Sequence, residues 1–251
     1  MTSVALVGLA IAQDTFIFRF QPKVGEKYRY KLSMEDDQGH STFPEGAKAF
    51  KVFKIAGVKD GLYTVHETLE KEDPTGATES KLTATYRIDS LLNSELMYST
   101  RTNEQEGAGA AMAAVVNGCF GLVFPSSPMK LNEETKVPFD AVAMSKKFLP
   151  SVPPELTQPS IDGKGERTLV MERVDDKVGY LRVAISFSLN IALVESGTSH
   201  HMSMNQSNDQ TVSIERSSGM PIKLDRKLNW GMKMGAEGKS ITGTLHLERV
   251  N

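Results

Sequence analysis

The run Ser199-His200-His201-Met202-Ser203-Met204 is the densest set of metal-capable side chains in the sequence. At a strand period of two, His200, Met202 and Met204 project from one face, and Met232 and Met234 share a face of a second expected strand. Thioethers with imidazole suit Cu(I), a soft cation. Packing competes with that reading. The chain holds 12 methionines, several at apolar strand positions such as Met34, Met97 and Met171, where a flexible thioether fills irregular gaps. Trp230, the only tryptophan, reads in the same way as a packed strand residue. Copper binding through His200, Met202 and Met204 stands as an alternative, and no cofactor is expected.

Other chemistries fail on spacing. Gly238-Lys239-Ser240 has the ending of a phosphate-binding loop, but Lys233 stands where such a loop needs glycine, and a strand pattern follows at 241–247 instead of a helix. Gly107-Ala108-Gly109 meets Met112 where a third small residue is required, and no buried strand leads into it. His66-Glu67 with Glu70 has the residue types of a zinc peptidase. That chemistry needs two ligands one helical turn apart, whereas the lead-in from Asp60-Gly61 through Tyr63-Thr64-Val65 predicts a strand, which throws alternate residues to opposite faces. There is no Gly-x-Ser-x-Gly elbow, and Cys119 lies in an Ala/Gly-rich apolar setting that reads as a buried, inert thiol. Paired carboxylates are the one catalytic class left open; the expectation is a protein that is not an enzyme.

The elements that must position these residues are strands. Phe16, Phe18 and Phe20 alternate with Ile17 and Arg19, and Tyr28, Tyr30, Leu32 and Met34 alternate with Lys27, Arg29, Lys31 and Ser33. A turn at 22–26 separates the two runs, so they are expected to pair antiparallel. Further strands are expected at 50–55, 62–69, 82–88, 95–99, 167–173, 180–193, 211–216, 222–232 and 240–250. The total of about a dozen exceeds what one typical open sheet carries. Turn chemistry at 59–61, 175–177, 217–219 and 237–239 makes most connections short, which predicts a meander. A strand-turn-strand unit at 51–65 is echoed at 167–183. The Ala-rich stretch 104–118, stopped by Gly118, predicts a helix, and a shorter helix is expected over 140–148. Pro150, Pro153, Pro154 and Pro159 read as a linker.

The division expected is a signal peptide at 1–12, an N-terminal β-rich half at 13–129 with the helix 104–118, a Pro-rich linker at 130–159, and a C-terminal antiparallel half at 160–251. One continuous domain is the alternative. Ala10-Ile11-Ala12 before Gln13 has the small-x-small pattern of a signal-peptidase site and predicts export to the periplasm or beyond. With 251 residues the chain can bury a real core, and a single cysteine allows no internal disulfide. The 29 basic and 31 acidic side chains leave a net charge of -2, so no overall field favours nucleic acid as a partner. No stretch is apolar and long enough to span a bilayer as a helix.

The segments Phe-Gln-Pro-Lys-Val-Gly-Glu-Lys-Tyr-Arg-Tyr at 20–30 and Ser-Ile-Glu-Arg-Ser-Ser-Gly-Met-Pro-Ile-Lys at 213–223 resemble those of uncharacterised exported bacterial β-rich proteins. Such proteins open with a Gly-x-x-Tyr-x-Tyr strand and close with strand, Gly-containing turn and strand. More distantly the pattern is similar to the lipoprotein-carrier half-barrel fold, a curved sheet closed by helices. No catalytic residue transfers with the resemblance. The fold expected is mainly β, with curved antiparallel meander sheets or a half-barrel and the Ala-rich helix on or across the concave side. A curved sheet with an aromatic inner face can hold an apolar, lipid-like ligand, and Phe16, Phe18, Phe20, Tyr28 and Tyr30 are the candidate contacts. Their other reading is an ordinary packed core. An envelope scaffold that engages another protein through a sheet edge is the second hypothesis.

Overall fold

The computed structural model describes residues 15–41, 43, 45–99, 120–146, 156–195, 198–235 and 237–250. The signal peptide at 1–12, the Ala-rich helix at 104–118, Cys119 and the prolines 150, 153 and 154 lie outside the described residues. The chain runs through β1 (Thr15–Phe16), β2 (Lys27–Asp36), β3 (Lys48–Lys59), β4 (Leu62–Glu72), β5 (Thr78–Ile88) and β6 (Ser94–Ser99). It continues through β7 (Met129–Lys130), β8 (Glu134–Val137), α1 (Ala141–Lys146), β9 (Leu156–Val174), β10 (Val178–Glu195), β11 (Thr198–Glu215), β12 (Pro221–Met234) and β13 (Glu237–Val250). The protein is mainly β, and none of its described helices is long and apolar enough to cross a membrane.

Eleven strands form one open antiparallel sheet in the order β6-β5-β4-β3-β2-β13-β12-β11-β10-β9-β8. Two meanders, β2 to β6 and β8 to β13, meet where the last strand pairs with the first long one through Leu247↔Leu32 and Leu245↔Met34. Both halves of the sequence therefore share a continuous hydrogen-bonded sheet. Residues 129–146, at the start of the expected linker, carry β7, β8 and α1, with β8 laid against β9 by Val137↔Arg167. The Asp140 carboxylate accepts from the Ala143 N–H at 2.8 Å and caps α1.

The hairpins follow their turn residues. Asp60 and Gly61 both have positive φ between β3 and β4, the geometry of a tight primed turn. Asp175 accepts from the Lys177 and Val178 amides at 2.9 and 2.7 Å between β9 and β10. Between β11 and β12, Gly219 has φ +71, and a Cβ there would lie 2.2 Å from the Arg19 carbonyl oxygen. That contact fixes the N-terminal segment against the turn.

Two expectations are corrected. Phe16 to Phe20 does not pair with β2: β1 pairs with β7, and both edges of β2 are taken, by β3 and β13. The reason lies in where the donors go. The Phe20 amide bonds to Ser90 O and the Gln21 amide to Ser218 O, both at 2.8 Å, so this segment crosses the ends of other hairpins. Its alternation survives without a ladder, with Ile17 exposed and Phe18 and Phe20 buried. Glu237, Gly238 and Lys239 are ladder residues of β13, not a turn; the chain reverses at Gly235, whose φ is +60.

One face of the sheet carries the core. Tyr30, Phe53, Ile55, Val65, Leu169, Met171, Leu181 and Ile214 are essentially without exposure. Phe120 and Phe124, between the meanders in sequence, lie against it; the Phe120 ring sits 4.7 Å from Phe53 and 6.0 Å from Tyr30, and Phe124 stacks on Phe18 at 5.5 Å. A second, smaller cluster lies on the far half of the long strands, where Phe187, Leu189, Ile191 and Met204 meet Ala141 of α1 with Phe139 and Val142 packed against them.

Candidate functional site: a polar belt between two apolar clusters

The buried-face positions of β11 read Met202, Met204, Gln206, Asn208, Gln210, Val212 and Ile214, each opposite a buried-face residue of β10. Three consecutive amides thus stand where alternation would place apolar side chains. Gln206, Asn208 and Gln210 are 3%, 2% and 2% exposed. Across the neighbouring strands Gln206 faces Phe187 and Trp230, Asn208 faces Ile185 and Leu228, and Gln210 faces Val183 and Arg226. Arg167 stands beyond Ile185 on β9. These five polar residues form a belt that separates the main core from the second cluster.

The belt is unevenly satisfied. Arg226 donates from Nε to Gln210 Oε1 at 2.8 Å and from Nη2 to the Phe120 carbonyl, which also accepts from Gln210 Nε2. Burial pulls its pKa down to about 10, which leaves it charged at neutral pH, with its charge met by neutral oxygens. Arg167 is pulled down to about 10 for the same reason. Its guanidinium lies 4.9 Å from the Phe139 ring centre, and its Nε is buried without a hydrogen-bond partner among the described residues. Phe139 is seated over Gly165, where a Cβ would lie 2.3 Å from the ring. Both amide atoms of Gln206 are also buried without partners among the described residues. Such groups each cost about 1–3 kcal/mol in a closed interior.

The other wing shows the contrasting solution. Lys51 projects from β3 on the same face and meets Glu67 of β4 at 3.1 Å, with the Thr83 hydroxyl donating to that carboxylate at 3.0 Å and Tyr86 at 3.4 Å. His66, next to Glu67 on the strand, takes the opposite face, so the ligand and general-base positions of a zinc-peptidase motif do not converge.

The five aromatic residues expected as ligand contacts all belong to, or pack against, the main apolar cluster, each against a different partner. Phe18 stacks on Phe124, Phe20 meets Tyr63 edge-on at 5.2 Å, and Tyr30 meets Phe53 at 5.6 Å and donates to Pro221 O at 2.7 Å. Tyr28 is buried and donates to Glu26, while Phe16 is half-buried with the Arg216 guanidinium 5.5 Å from its ring centre. Burial and the Glu26 carboxylate push the Tyr28 phenol above its ordinary range. His200, Met202 and Met204 do share the buried face, and the register sets Met202 opposite Met234 and Met204 opposite Met232. Met204 is buried, Met202 and Met232 are partly so, and His200 and Met234 are exposed.

Gln206, Asn208, Gln210, Arg167 and Arg226 escaped the sequence reading. The stretch Asn205-Gln206-Ser207-Asn208-Asp209-Gln210 is polar on both faces and looks like a loop. The available signal was its phase: Gln-x-Asn-x-Gln continues the two-residue spacing from Met204 to Val212 and Ile214.

No protein-family model matches the chain, and no curated protein matches it. Among solved structures it is similar to a Bacteroides fragilis protein described as a candidate exported protein with a YmcC-like fold. The two share 12% identity at a TM-score of 0.31, over 94% of this chain and 100% of that one.

Proposed function

We propose that this is an exported, non-enzymatic β-rich protein that binds or carries an apolar, lipid-like ligand on the buried face of its long strands. The observation that supports the reading is the second cluster. Phe187, Leu189, Ile191 and Met204 are buried there, Met202, Trp230 and Met232 are partly open, and Met234 and Ile241 are 60% and 56% exposed. Apolar surface therefore continues past the packed core toward the strand ends, and a contiguous patch of this kind marks a binding surface. The belt keeps it distinct from the core that holds the sheet together.

Trp230 makes the reading testable, because it is the only tryptophan and lies in that cluster. Titration with dibromostearic acid is expected to quench its emission saturably, since bromine quenches only at close range. Emission that stays constant, or that falls in simple proportion to added lipid, counts against ligand binding. The envelope-scaffold reading would then gain, with the β9 edge from Leu156 to Glu166, beyond its pairing with β8, as the surface to extend.

A soft-metal reading rests on the two cross-strand methionine pairs. Directly opposed side chains approach within about 5 Å at Cβ, close enough for two thioethers to share Cu(I) or Ag(I). Stoichiometric Ag(I) retention under native mass spectrometry, lost in Met202→Leu with Met234→Leu, would support it; retention unchanged in that variant would dismiss it.

A further inference from the structure

We propose that Arg167 and Gln206 form an anion subsite that takes the carboxylate of a single-chain lipid whose chain lies over the second apolar cluster. The inference rests on the ligand-binding reading above and names the chemistry of the ligand's head. Among the described residues, Arg167 and Arg226 are buried and Lys51 is largely buried on this face, and the fold supplies an acceptor to two of the three. Lys51 has Glu67, and Arg226 has Gln210 and the Phe120 carbonyl. Arg167 has no acceptor among the described residues. Its neighbours on that face are Ile185 and Val137 across the strands, and Gly165 and Leu169 along its own. A buried guanidinium is a strong, geometrically defined receptor for a carboxylate, and desolvation strengthens the pair.

Gln206 supplies the second arm. It stands two strands away and two residues further along, roughly 12 Å at ordinary strand spacing and rise, and its amide N–H groups are buried without acceptors among the described residues. One strand, β10, lies between the two residues, and its buried face at that level is Ile185 and Phe187. An anion bound above that strand would receive donors from both sides. From Ile185 the apolar residues run on through Phe187, Leu189 and Ile191 for about 20 Å at roughly 3.3 Å per residue; Phe139 and Ala141 pack on this row, so an acyl chain would enter from the partly open Met202, Trp230 and Met232 and displace Phe139 and Ala141. That length suits one extended acyl chain, with its far end near Met202 and Met234. The head is thus placed at the inner end of the cluster and the tail points to its open end.

Trp230 quenching separates this proposal from the reading it rests on. Dibromostearic acid and its methyl ester carry the same chain and differ in the charge of the head. In the wild-type protein at pH 8 the acid is expected to bind roughly tenfold or more tightly than the ester. In Arg167→Gln the ratio should fall toward one, and Gln206→Leu should lower it in the same direction if the first variant folds poorly. Equal affinity of acid and ester in the wild-type protein overturns the anion subsite while leaving lipid binding in place. No quenching by either overturns the lipid reading itself. Inorganic phosphate, added alone and then with the acid, identifies the source of the anion: competition at low millimolar phosphate would assign a free anion and overturn the lipid carboxylate.

Discussion

Replacing Gln206 with leucine should make the ligand-free protein more stable. The side chain is 3% exposed and neither its Nε2 nor its Oε1 has a partner among the described residues. Desolvation of such an amide costs about 1–3 kcal/mol that no internal bond returns. Leucine has a similar volume and would pack against Phe187 and Trp230, its cross-strand neighbours. Taking about 2 kcal/mol as the gain, and about 2–4 °C per kcal/mol for a chain of this size, Tm should rise by roughly 4–8 °C. Urea denaturation and thermal circular dichroism on the ligand-free protein would measure it, with near-ultraviolet dichroism showing that Trp230 keeps its environment. The same variant should lose its preference for an acidic ligand, which makes the belt a case of stability given up for binding. A variant destabilised by more than about 1 kcal/mol would show that the amide is satisfied in the folded protein, and the argument from unpartnered groups would fail.

Lys51→Met should cost about 2–3 kcal/mol, because it leaves the Glu67 carboxylate buried, while Lys51→Met with Glu67→Leu should recover most of the loss; equilibrium denaturation of the three proteins checks both statements. Gly219→Ala should cost roughly 2–4 kcal/mol, since the residue combines φ +71 with the Arg19 carbonyl where a Cβ would go, and an unchanged urea midpoint would show that the turn relaxes freely. Acid should destabilise the fold in a defined direction. Burial raises the Glu215 and Asp225 carboxyls, but hydrogen bonds from Arg249 and Ser218 to Glu215, and from His246 and Lys223 to Asp225, outweigh it and hold both below their ordinary values. Depressed folded values mean that their stabilisation is complete above about pH 4.5, the range of the unfolded groups, and is lost as pH falls through the folded values. Glu215→Gln should lower the urea midpoint at pH 7 and flatten its acid decline; an unaltered decline would remove Glu215 from the cause.

Much of the fold was legible because alternation is a direct record of a sheet with one buried face. The alternation of Tyr28, Tyr30 and Leu32 read correctly, as did the strand expected at 180–193, and the turns at Asp60-Gly61 and Gly219 declared themselves by their need for positive φ. Pairing was less legible. Proximity in sequence suggested that Phe16 to Phe20 would join β2, whereas the C-terminal β13 takes that edge, a partnership set by packing over more than 200 residues. The methionine face of β11 was visible from spacing, but the belt beside it was not. Amides at every second position satisfy a loop pattern as well as a strand pattern, and only the apolar residues on either side decide between them.

The most direct measurement is native mass spectrometry of the intact protein recovered from its own cells, before and after organic extraction. The account predicts a bound single-chain acid that extraction removes and that added fatty acid restores with one-to-one stoichiometry. Polypeptide mass alone, both as recovered and after incubation with fatty acid, would contradict it.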